Sequence, residues 1–196
     1  MNRVFDIVFS LLILLITLPL TIPIALAVLL TSQGPIFFVQ ERVGCGGKSF
    51  NLYKFRSMLR DDDKVGLQLT LKDDSRVTLI GRFLRRFKLD ELPQFLNVAA
   101  GTMAVIGPRP EVPKYVASYS PQMREVFDYK PGLTDPASIK FRDEPALLAH
   151  AENPERLYIE QILPEKVRLS IEYQRTRTAA SDFGIICQTV AIMFGR

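Results

Sequence analysis

Residues 7–30 form an uncharged, strongly apolar run, which constrains the fold more than any other stretch of the chain. As one continuous helix, the run would be about 36 Å long, enough to cross the hydrocarbon core of a bilayer. Pro19 and Pro23 lie near its middle, and each removes a helical hydrogen bond and bends the helix. We expect the hydroxyl groups of Thr17 and Thr21 to satisfy carbonyl groups that the prolines leave free.

Three interpretations of this run remain open. A cleaved signal peptide is suggested by Ala25-Leu26-Ala27, but the apolar region is too long for one and Asp6 stands close to Arg3. A straight transmembrane anchor is the default for a run of this length. A helix broken at the two prolines could instead re-enter the membrane surface and leave both of its ends on one face.

Charged residues become frequent after the apolar run, and the first of them are mainly basic. By the positive-inside rule, this distribution predicts that the rest of the chain lies on the cytoplasmic side of a membrane. The basic residues nearest the run are Arg42, Lys48, Lys54, Arg56 and Arg60. The chain carries a net charge of +4, which favours anionic partners such as phosphates, nucleic acid or a membrane surface.

The scarcity of cysteine and histidine limits the chemistry that the chain can perform. Cys45 and Cys187 are the only cysteines, so the sequence supports neither a disulfide framework nor a cysteine metal cluster, as is usual in a reducing cytosol. His150 is the only histidine, and we interpret it as a helix-surface residue rather than a base. Nucleophilic or acid–base chemistry must therefore rely on carboxylates, lysine or serine.

Local patterns predict an α+β fold that is mainly helical. A β-hairpin is predicted from residues 36–39 and 49–55, because both segments are β-prone and the glycines between them signal a turn. Residues 79–88 predict a basic amphipathic helix, which is typical of a membrane surface. No aromatic–basic interleaving or zinc-ligand spacing supports nucleic acid as its partner. Residues 60–74 are interpreted as a mobile loop, and helices are predicted to fill most of 146–194.

Two adjacent carboxylates, Asp90 and Glu91, precede an apolar stretch that contains Pro93. Because proline is best tolerated in the first turn of a helix, the pair should lie at or just before a helix N-terminus. The helix dipole and free N–H groups would keep a carboxylate ionised there and attract phosphate, so the pair could supply a nucleophile or a metal ligand. Alternatively, Asp90 is only the N-cap of the helix and Glu91 is solvated.

Arg109 lies in a second candidate site, the sequence Gly107-Pro108-Arg109-Pro110. Two prolines around one arginine make a stiff loop that can present a guanidinium fork to a carboxylate or a diphosphate. The alternative is a structural turn with a surface arginine. Lys54, on the second predicted hairpin strand, is likewise either a surface charge or a group that faces a phosphate.

Several short motifs follow one another along nearly the whole chain. They are Arg3-Val4-Phe5-Asp6, Gly34-Pro35-Ile36-Phe37-Phe38-Val39-Gln40-Glu41-Arg42-Val43-Gly44, Tyr53-Lys54-Phe55-Arg56-Ser57-Met58, Leu89-Asp90-Glu91-Leu92-Pro93-Gln94 with Asn97-Val98, Gly107-Pro108-Arg109-Pro110, and Lys130-Pro131-Gly132-Leu133-Thr134. Each motif alone is weak, but jointly they are very specific. In this order they resemble the bacterial sugar transferase family, the monotopic phosphoglycosyl transferases that begin glycan assembly on polyprenol phosphate.

The resemblance implies a re-entrant membrane helix that breaks at Pro19 and Pro23, with residues 1–32 as the membrane anchor. Residues 33–196 would then form a catalytic domain on the cytoplasmic face of the bacterial inner membrane. This domain would contain the small β-hairpin and interfacial amphipathic helices. The chain would correspond to the minimal catalytic form of the family.

The resemblance also implies an enzyme that moves a sugar-1-phosphate from a UDP-sugar to polyprenol phosphate, the first membrane step in assembling a bacterial glycan. Asp90 would attack the β-phosphate, release UMP and hold the sugar phosphate covalently until polyprenol phosphate attacks it. Glu91 would help to bind Mg²⁺, and Arg109 would bind the phosphate. Further candidates for binding the substrate phosphates, because they match motif positions, are Lys54, Arg85 and Arg142.

Two segments depart from the family pattern. Leu18 precedes Pro19 where serine is frequent, which removes one side-chain route for stabilising the bend. Residues 135–142 differ from the glycine and glutamine that often follow Thr134, so we expect different nucleotide or sugar contacts there. Two other functions fit parts of the sequence: a membrane-surface scaffold without activity, and a secreted binding protein released after Ala27. The sequence identifies neither the sugar nor the oligomeric state.

Overall fold

The structure is a computed structural model and describes residues 3–32, 34–59, 69 and 74–194. Within these ranges the protein is a mainly helical α+β fold, as predicted. The helices are α1 (Arg3–Thr31), α2 (Leu79–Arg86), α3 (Gln94–Ala100), α4 (Pro113–Val116), α5 (Pro136–Lys140), α6 (Glu144–Ala149), α7 (Pro154–Leu157), α8 (Leu163–Thr176) and α9 (Ala179–Phe194). The strands are β1 (Phe37–Val43), β2 (Ser49–Phe55), β3 (Ala104–Ile106) and β4 (Gly132–Thr134). Most of the predicted loop at 60–74 lies outside the described residues.

Strands β1 and β2 form the predicted antiparallel hairpin, with Phe37 opposite Phe55 at its open end. A short 3-10 turn, Cys45–Gly47, joins the strands. Gly46 has a φ of 67° in this turn, a left-handed conformation that favours glycine. The glycine-rich turn signal therefore predicted the hairpin correctly.

Strands β3 and β4 pair in parallel, a contact that the sequence did not predict. This pairing brings Gly107 against Gly132 so closely that a Cβ atom added to Gly132 would lie 2.0 Å from the Gly107 nitrogen. Only glycine fits at such a close approach of two backbones. The two glycines thus hold the loop that carries Arg109 beside the turn that contains Lys130 and Pro131.

Helix α1 continues through Pro19 and Pro23 as one helix of 29 residues. The Thr17 hydroxyl donates to the carbonyl four residues earlier at 2.7 Å, and the Thr21 hydroxyl donates to the carbonyl three residues earlier at 3.0 Å. Neither acceptor is the carbonyl that a proline leaves free, which lies four residues before each proline. The prediction that these threonines compensate for the prolines is therefore wrong.

Both ends of α1 pack against the rest of the protein. Near its start, Oδ1 of Asp6 accepts a 3.1 Å hydrogen bond from the backbone N–H of Val105. Near its end, Ile24 and Val28 are buried in a cluster that includes Leu84. The apolar side chains between these ends are mostly exposed. The proposed division into a membrane segment at 1–32 and a catalytic domain at 33–196 stays a prediction.

The helices after β4 enclose a buried cluster that includes Leu148, Tyr158 and Leu163, so the predicted helical C-terminal part is confirmed. A short π-helical turn, Tyr158–Ile162, joins α7 to α8. Some apolar side chains of α2 and α9 remain exposed, among them Phe83 and Phe183. Exposed apolar faces of this kind are expected of helices at a lipid interface.

Asp135, the first residue of the segment that departs from the family pattern, has a structural role. Its buried carboxylate caps α5 by accepting from the backbone N–H of Ser138 at 2.8 Å, and it also accepts from the hydroxyls of Ser138 and Ser170. We expect Asp135→Ala to lower the free energy of unfolding by about 2–4 kcal/mol, since the cap and two further hydrogen bonds are lost.

Thermal unfolding of the purified protein in detergent measures this effect, and we expect a fall in Tm of roughly 5–15 °C. The matched control is Asp143→Ala, because Asp143 occupies the N-cap position of α6 without a capping hydrogen bond and its side chain is exposed. That change should alter the stability by less than about 0.5 kcal/mol. Equal Tm values for the two variants would contradict the capping role of Asp135.

Candidate active site

Asp90 and Glu91 lie on a 3-10 turn, Leu89–Glu91, between α2 and α3. The turn begins after Lys88, whose φ of 55° is left-handed and redirects the chain out of α2. The N-cap residue of α3 is Pro93, and no side chain caps this helix. The pair therefore precedes a helix N-terminus as predicted, but the interpretation of Asp90 as the N-cap is wrong.

The Asp90 carboxylate is buried, with 6% of the residue exposed. Its Oδ1 atom has no hydrogen-bond partner among the described residues. A buried acceptor without a partner is unusual, because it loses its bonds to water and gains none in exchange. Within the described structure, Asp90 Oδ1 is thus open to a bound group.

Glu91 is held by two cations that come from different parts of the chain. Arg109 donates to both of its carboxylate oxygens, through Nη2 to Oε1 and through Nη1 to Oε2 at 3.3 Å. Lys54 Nζ donates to Oε1 at 3.2 Å. The structure thus brings together four of the predicted site residues, namely Asp90, Glu91, Arg109 and Lys54.

Adjacent in sequence, the two carboxylates have opposite electrostatic environments. Burial, together with the negative charge of Glu91, raises the pKa of Asp90, and Lys54 and Arg85 only partly oppose this. Burial also acts to raise the pKa of Glu91, but Arg109 and Lys54 outweigh it and hold that pKa well below its usual range. The sequence predicts that the helix N-terminus keeps a carboxylate ionised; for Asp90, burial instead dominates and raises the pKa.

The remaining two predicted phosphate-binding residues differ in their positions. Arg85 is close enough to Asp90 for their charges to interact, and its Nε donates to the hydroxyl of Ser57 at 2.8 Å. Arg142 is exposed and donates to Asp143 at 3.1 Å. No contact within the described part of the chain links Arg142 to Asp90 or Glu91, so its role in binding phosphate stays a prediction.

A partly buried polar cluster that the sequence did not indicate supports the loop that carries Arg109. Arg42 donates to the Pro110 carbonyl at 3.0 Å and to Glu111 Oε1 at 3.3 Å. The Tyr158 hydroxyl donates to the other oxygen of Glu111. Arg42 lies within one motif and Glu111 directly follows another, but their pairing joins residues 69 positions apart and has no local signal.

Asn97 fixes α3 against β2. Its Oδ1 accepts from the backbone N–H of Tyr53 at 3.1 Å, and its Nδ2 donates to the Asn51 carbonyl at 2.7 Å. Since Lys54 is the next residue on β2, this contact sets the position of Lys54 relative to Glu91. Asn97 was noticed in the sequence only as part of a motif.

The carboxylate pair was tested as a site for Mg²⁺. Among the described residues, no group of three or more histidine, cysteine or acidic side chains could hold a metal ion. Magnesium, however, commonly takes one or two carboxylates and completes its shell with substrate phosphates and water. Oε2 of Glu91 makes only the 3.3 Å contact with Arg109 in the described structure, and Asp90 Oδ1 has no partner there. These oxygens fit an ion that arrives with the phosphates.

In the described part of the chain, α1 is long and apolar enough to cross a membrane, judged by its length and composition. Its exposed middle agrees with a lipid environment better than with the core of a soluble protein. This supports association of the chain with a membrane.

Comparison with known proteins identifies a family and several relatives. The chain is 35% identical to a UDP-glucose:undecaprenyl-phosphate glucose-1-phosphate transferase of Xanthomonas campestris pv. campestris, over 86% of this chain and 34% of that protein. A transferase of the same name from Caulobacter vibrioides is 34% identical over 96% of this chain and 67% of its own length. A UDP-N-acetylgalactosamine-undecaprenyl-phosphate N-acetylgalactosaminephosphotransferase of Aeromonas hydrophila is 41% identical over 57% of this chain and 27% of its own length.

The chain spans about a third of the length of the Xanthomonas protein. The match to the family described as "Bacterial sugar transferase", by contrast, covers residues 1–196. The resemblance inferred from the motifs is therefore confirmed, and the protein belongs to the bacterial sugar transferase family.

Proposed function

We propose that the protein is a phosphoglycosyl transferase that moves a sugar-1-phosphate from a UDP-sugar to polyprenol phosphate, with Asp90 as the nucleophile. The observation that carries this proposal is the buried Oδ1 atom of Asp90, which has no partner among the described residues and lies next to a carboxylate fixed by Lys54 and Arg109. The names of the relatives support the same donor and acceptor, because each includes a UDP-sugar and undecaprenyl phosphate.

In the first step, an oxygen of the Asp90 carboxylate forms a bond to the β-phosphorus of the UDP-sugar. The bond between that phosphorus and the oxygen that bridges the two phosphates breaks, and its electron pair leaves with UMP. The sugar phosphate remains on Asp90 as an acyl phosphate. Covalent catalysis of this kind divides one difficult transfer between two anions into two easier steps.

In the second step, a phosphate oxygen of polyprenol phosphate attacks the same phosphorus. The bond from phosphorus to Asp90 breaks, the carboxylate is restored, and polyprenol-diphosphate-sugar is released. Because attack and departure occur at one phosphorus atom, the soluble donor and the lipid acceptor must use the same site in turn. The protein therefore needs an active site at the membrane surface, open to water and to lipid.

Arg109 and Lys54 are the groups that offset the negative charge of the diphosphate. In the described structure both donate to Glu91, so they are already oriented before the donor arrives. Such preorganised charges stabilise a transition state without further rearrangement. Glu91 is the proposed protein ligand of Mg²⁺, which when bound would supply further positive charge at the diphosphate. Arg85 lies near Asp90, where it can also meet a phosphate.

Helix α1 is proposed to be re-entrant, with the catalytic part on the cytoplasmic face of the inner membrane. Two observations support this topology: both ends of α1 pack on the same body, and its apolar middle is exposed. Pro19 and Pro23 lie in that middle, where a bend would return the helix to its starting face.

Incubation of the purified protein with a labelled UDP-sugar and Mg²⁺, but without lipid acceptor, tests the enzymatic proposal. We expect one equivalent of UMP per active site and label attached to Asp90. A panel of UDP-sugars scored by UMP release identifies the sugar. Lipid-dependent turnover without any adduct would contradict the covalent mechanism, and the absence of turnover with every donor would favour a membrane-surface scaffold.

Cysteine labelling of intact bacterial cells tests the topology. Cys45 lies exposed on the hairpin turn, so a Cys187→Ser protein carries a natural reporter for the catalytic part. For the other end of α1, Val4→Cys is introduced at an exposed position after both native cysteines are changed to serine. We expect a membrane-impermeant maleimide to label neither cysteine until the cells are opened.

Leu15→Cys in the same cysteine-free protein is the control, because this exposed residue lies in the apolar middle and should resist labelling even after the cells are opened. Labelling of Val4→Cys from outside intact cells, with Cys45 protected, would show a spanning helix. Recovery of membrane-bound protein that retains its N-terminus would exclude the secreted binding protein.

A further inference from the structure

Gln94, the first residue of α3, is buried to an unusual degree for an amide side chain. Only 1% of the residue is exposed, and its Nε2 atom has no hydrogen-bond partner among the described residues. A buried amide donor without a partner destabilises a protein, because it has lost its hydrogen bonds to water. The described structure therefore leaves this amide available to a bound group.

The backbone places Gln94 on the same side as Asp90. Leu92 and Pro93, which separate the 3-10 turn from α3, both have right-handed helical angles. Residues three or four positions apart on such a backbone lie near one face, and both Asp90 and Gln94 are buried. Gln94 therefore follows Asp90 on the inward face of this segment.

Neighbouring contacts locate this face against β2. One turn after Gln94, Asn97 is bonded to the β2 backbone at Asn51 and Tyr53. One turn before it, Glu91 is bonded to Lys54, the next residue along the same strand. Along the chain, Gln94 thus lies between a residue that fixes the fold and a residue of the charged centre of the site.

The two unpartnered atoms on this face are complementary. Asp90 Oδ1 is an acceptor, Gln94 Nε2 is a donor, and the described structure contains no hydrogen bond between them. A phosphoryl group beside them would satisfy both atoms. Its phosphorus would face Asp90 Oδ1, and one of its oxygens would accept a hydrogen bond from the amide. We propose that Gln94 is a catalytic residue, whose Nε2–H donates to a non-bridging oxygen of the β-phosphoryl group of the donor. This inference rests on the proposed function.

A neutral donor suits this position for an electrostatic reason. Lys54 and Arg109 already supply the positive charge, and a further cation on the same face would pair with Asp90 and weaken it as a nucleophile. An amide binds a phosphoryl oxygen without attracting the carboxylate strongly. It also recognises the β-phosphoryl group in particular, so Gln94 should favour UDP over UMP.

The experiment compares Gln94→Met and Gln94→Ala with the wild-type protein. Methionine keeps the shape of glutamine but removes the unpartnered amide, so Gln94→Met should unfold at the wild-type Tm or above it. Affinities for UDP and for UMP are measured by calorimetry on the detergent-solubilised full chain. We expect both variants to bind UDP roughly 10- to 100-fold more weakly than wild type, with UMP affinity unchanged within about twofold. The rate of UMP release from the preferred UDP-sugar should fall by a similar factor.

Gln161 provides the matched control, because it is exposed on the π-helical turn far along the chain. Gln161→Met should leave the ratio of UDP to UMP affinity unchanged. An unchanged ratio in a folded Gln94→Met protein, with wild-type UMP release, would overturn the inference while leaving the proposed function intact. A wild-type protein that binds no UDP and releases no UMP would instead contradict the proposed function itself.

Discussion

Asp90→Asn is expected to abolish both the covalent adduct and turnover. Asparagine has nearly the same shape, but its amide cannot act as the nucleophile that forms the acyl phosphate. Replacement of a nucleophile commonly lowers kcat by several orders of magnitude, and we expect a loss of about 10⁴-fold or more. The adduct is measured by intact-protein mass spectrometry after incubation with the donor, and turnover is measured by UMP release in the presence of polyprenol phosphate.

The variant should still fold and bind UDP, because the described hydrogen bonds of the site do not include Oδ1 of Asp90. Asp143→Asn, at an exposed position, serves as the control and should retain wild-type activity. Turnover by Asp90→Asn within tenfold of wild type would show that the transfer is direct and that Asp90 has another role.

Arg109→Ala is expected to produce the second largest loss. It removes a preorganised cation from the diphosphate site and leaves Glu91 with Lys54 as its only described cationic partner. The freed charge of Glu91 would repel the incoming phosphates. Loss of one such stabilising group typically lowers kcat by about 10²–10³-fold. Steady-state UMP release, with the donor concentration varied, gives kcat and KM separately.

Arg156→Ala is the matched arginine control for this prediction. Arg156 is exposed and pairs with Glu160, whereas Arg109 contacts Glu91. We expect Arg156→Ala to change kcat/KM by less than about threefold, as is usual for an exposed ion pair. Arg109→Lys should retain part of the activity, since lysine keeps the positive charge but loses the bidentate contact with Glu91. Equal losses in the two alanine variants would contradict the assignment of Arg109.

Local sequence signals were sufficient for the hairpin, for α2 and for the C-terminal helices, because glycine turns and apolar periodicity act within a few residues. The parallel pairing of β3 with β4 was not predicted, since it depends on two glycines that are distant in sequence and only meet in the fold. The threonines of α1 show that residue type alone does not predict the hydrogen-bond partner. Their hydroxyls donate to carbonyls within the helix, but not to the carbonyls that the prolines leave free.

For the site, the residue types and motifs indicated Asp90, Glu91, Arg109 and Lys54, but not the contacts and the environment of each residue. The burial of Asp90 and the absence of a capping bond among the described residues argue against a helix cap, and neither feature can be inferred from sequence. The same is true of its raised pKa, which results from burial rather than from the helix terminus. Arg42 and Gln94 were missed because an ordinary surface residue gives the same local pattern.

The packing of α1 has a practical consequence for protein production. Its buried residues Ile24 and Val28 share a cluster with Leu89 and Leu92, which flank Asp90 and Glu91 in sequence. A truncated protein that begins after Thr31, designed to be soluble, would lose the apolar support of the catalytic turn as well as its attachment to lipid. Detergents and lipids of different chain length would act on the same contact, so the choice of solubilising agent is expected to affect the active site directly.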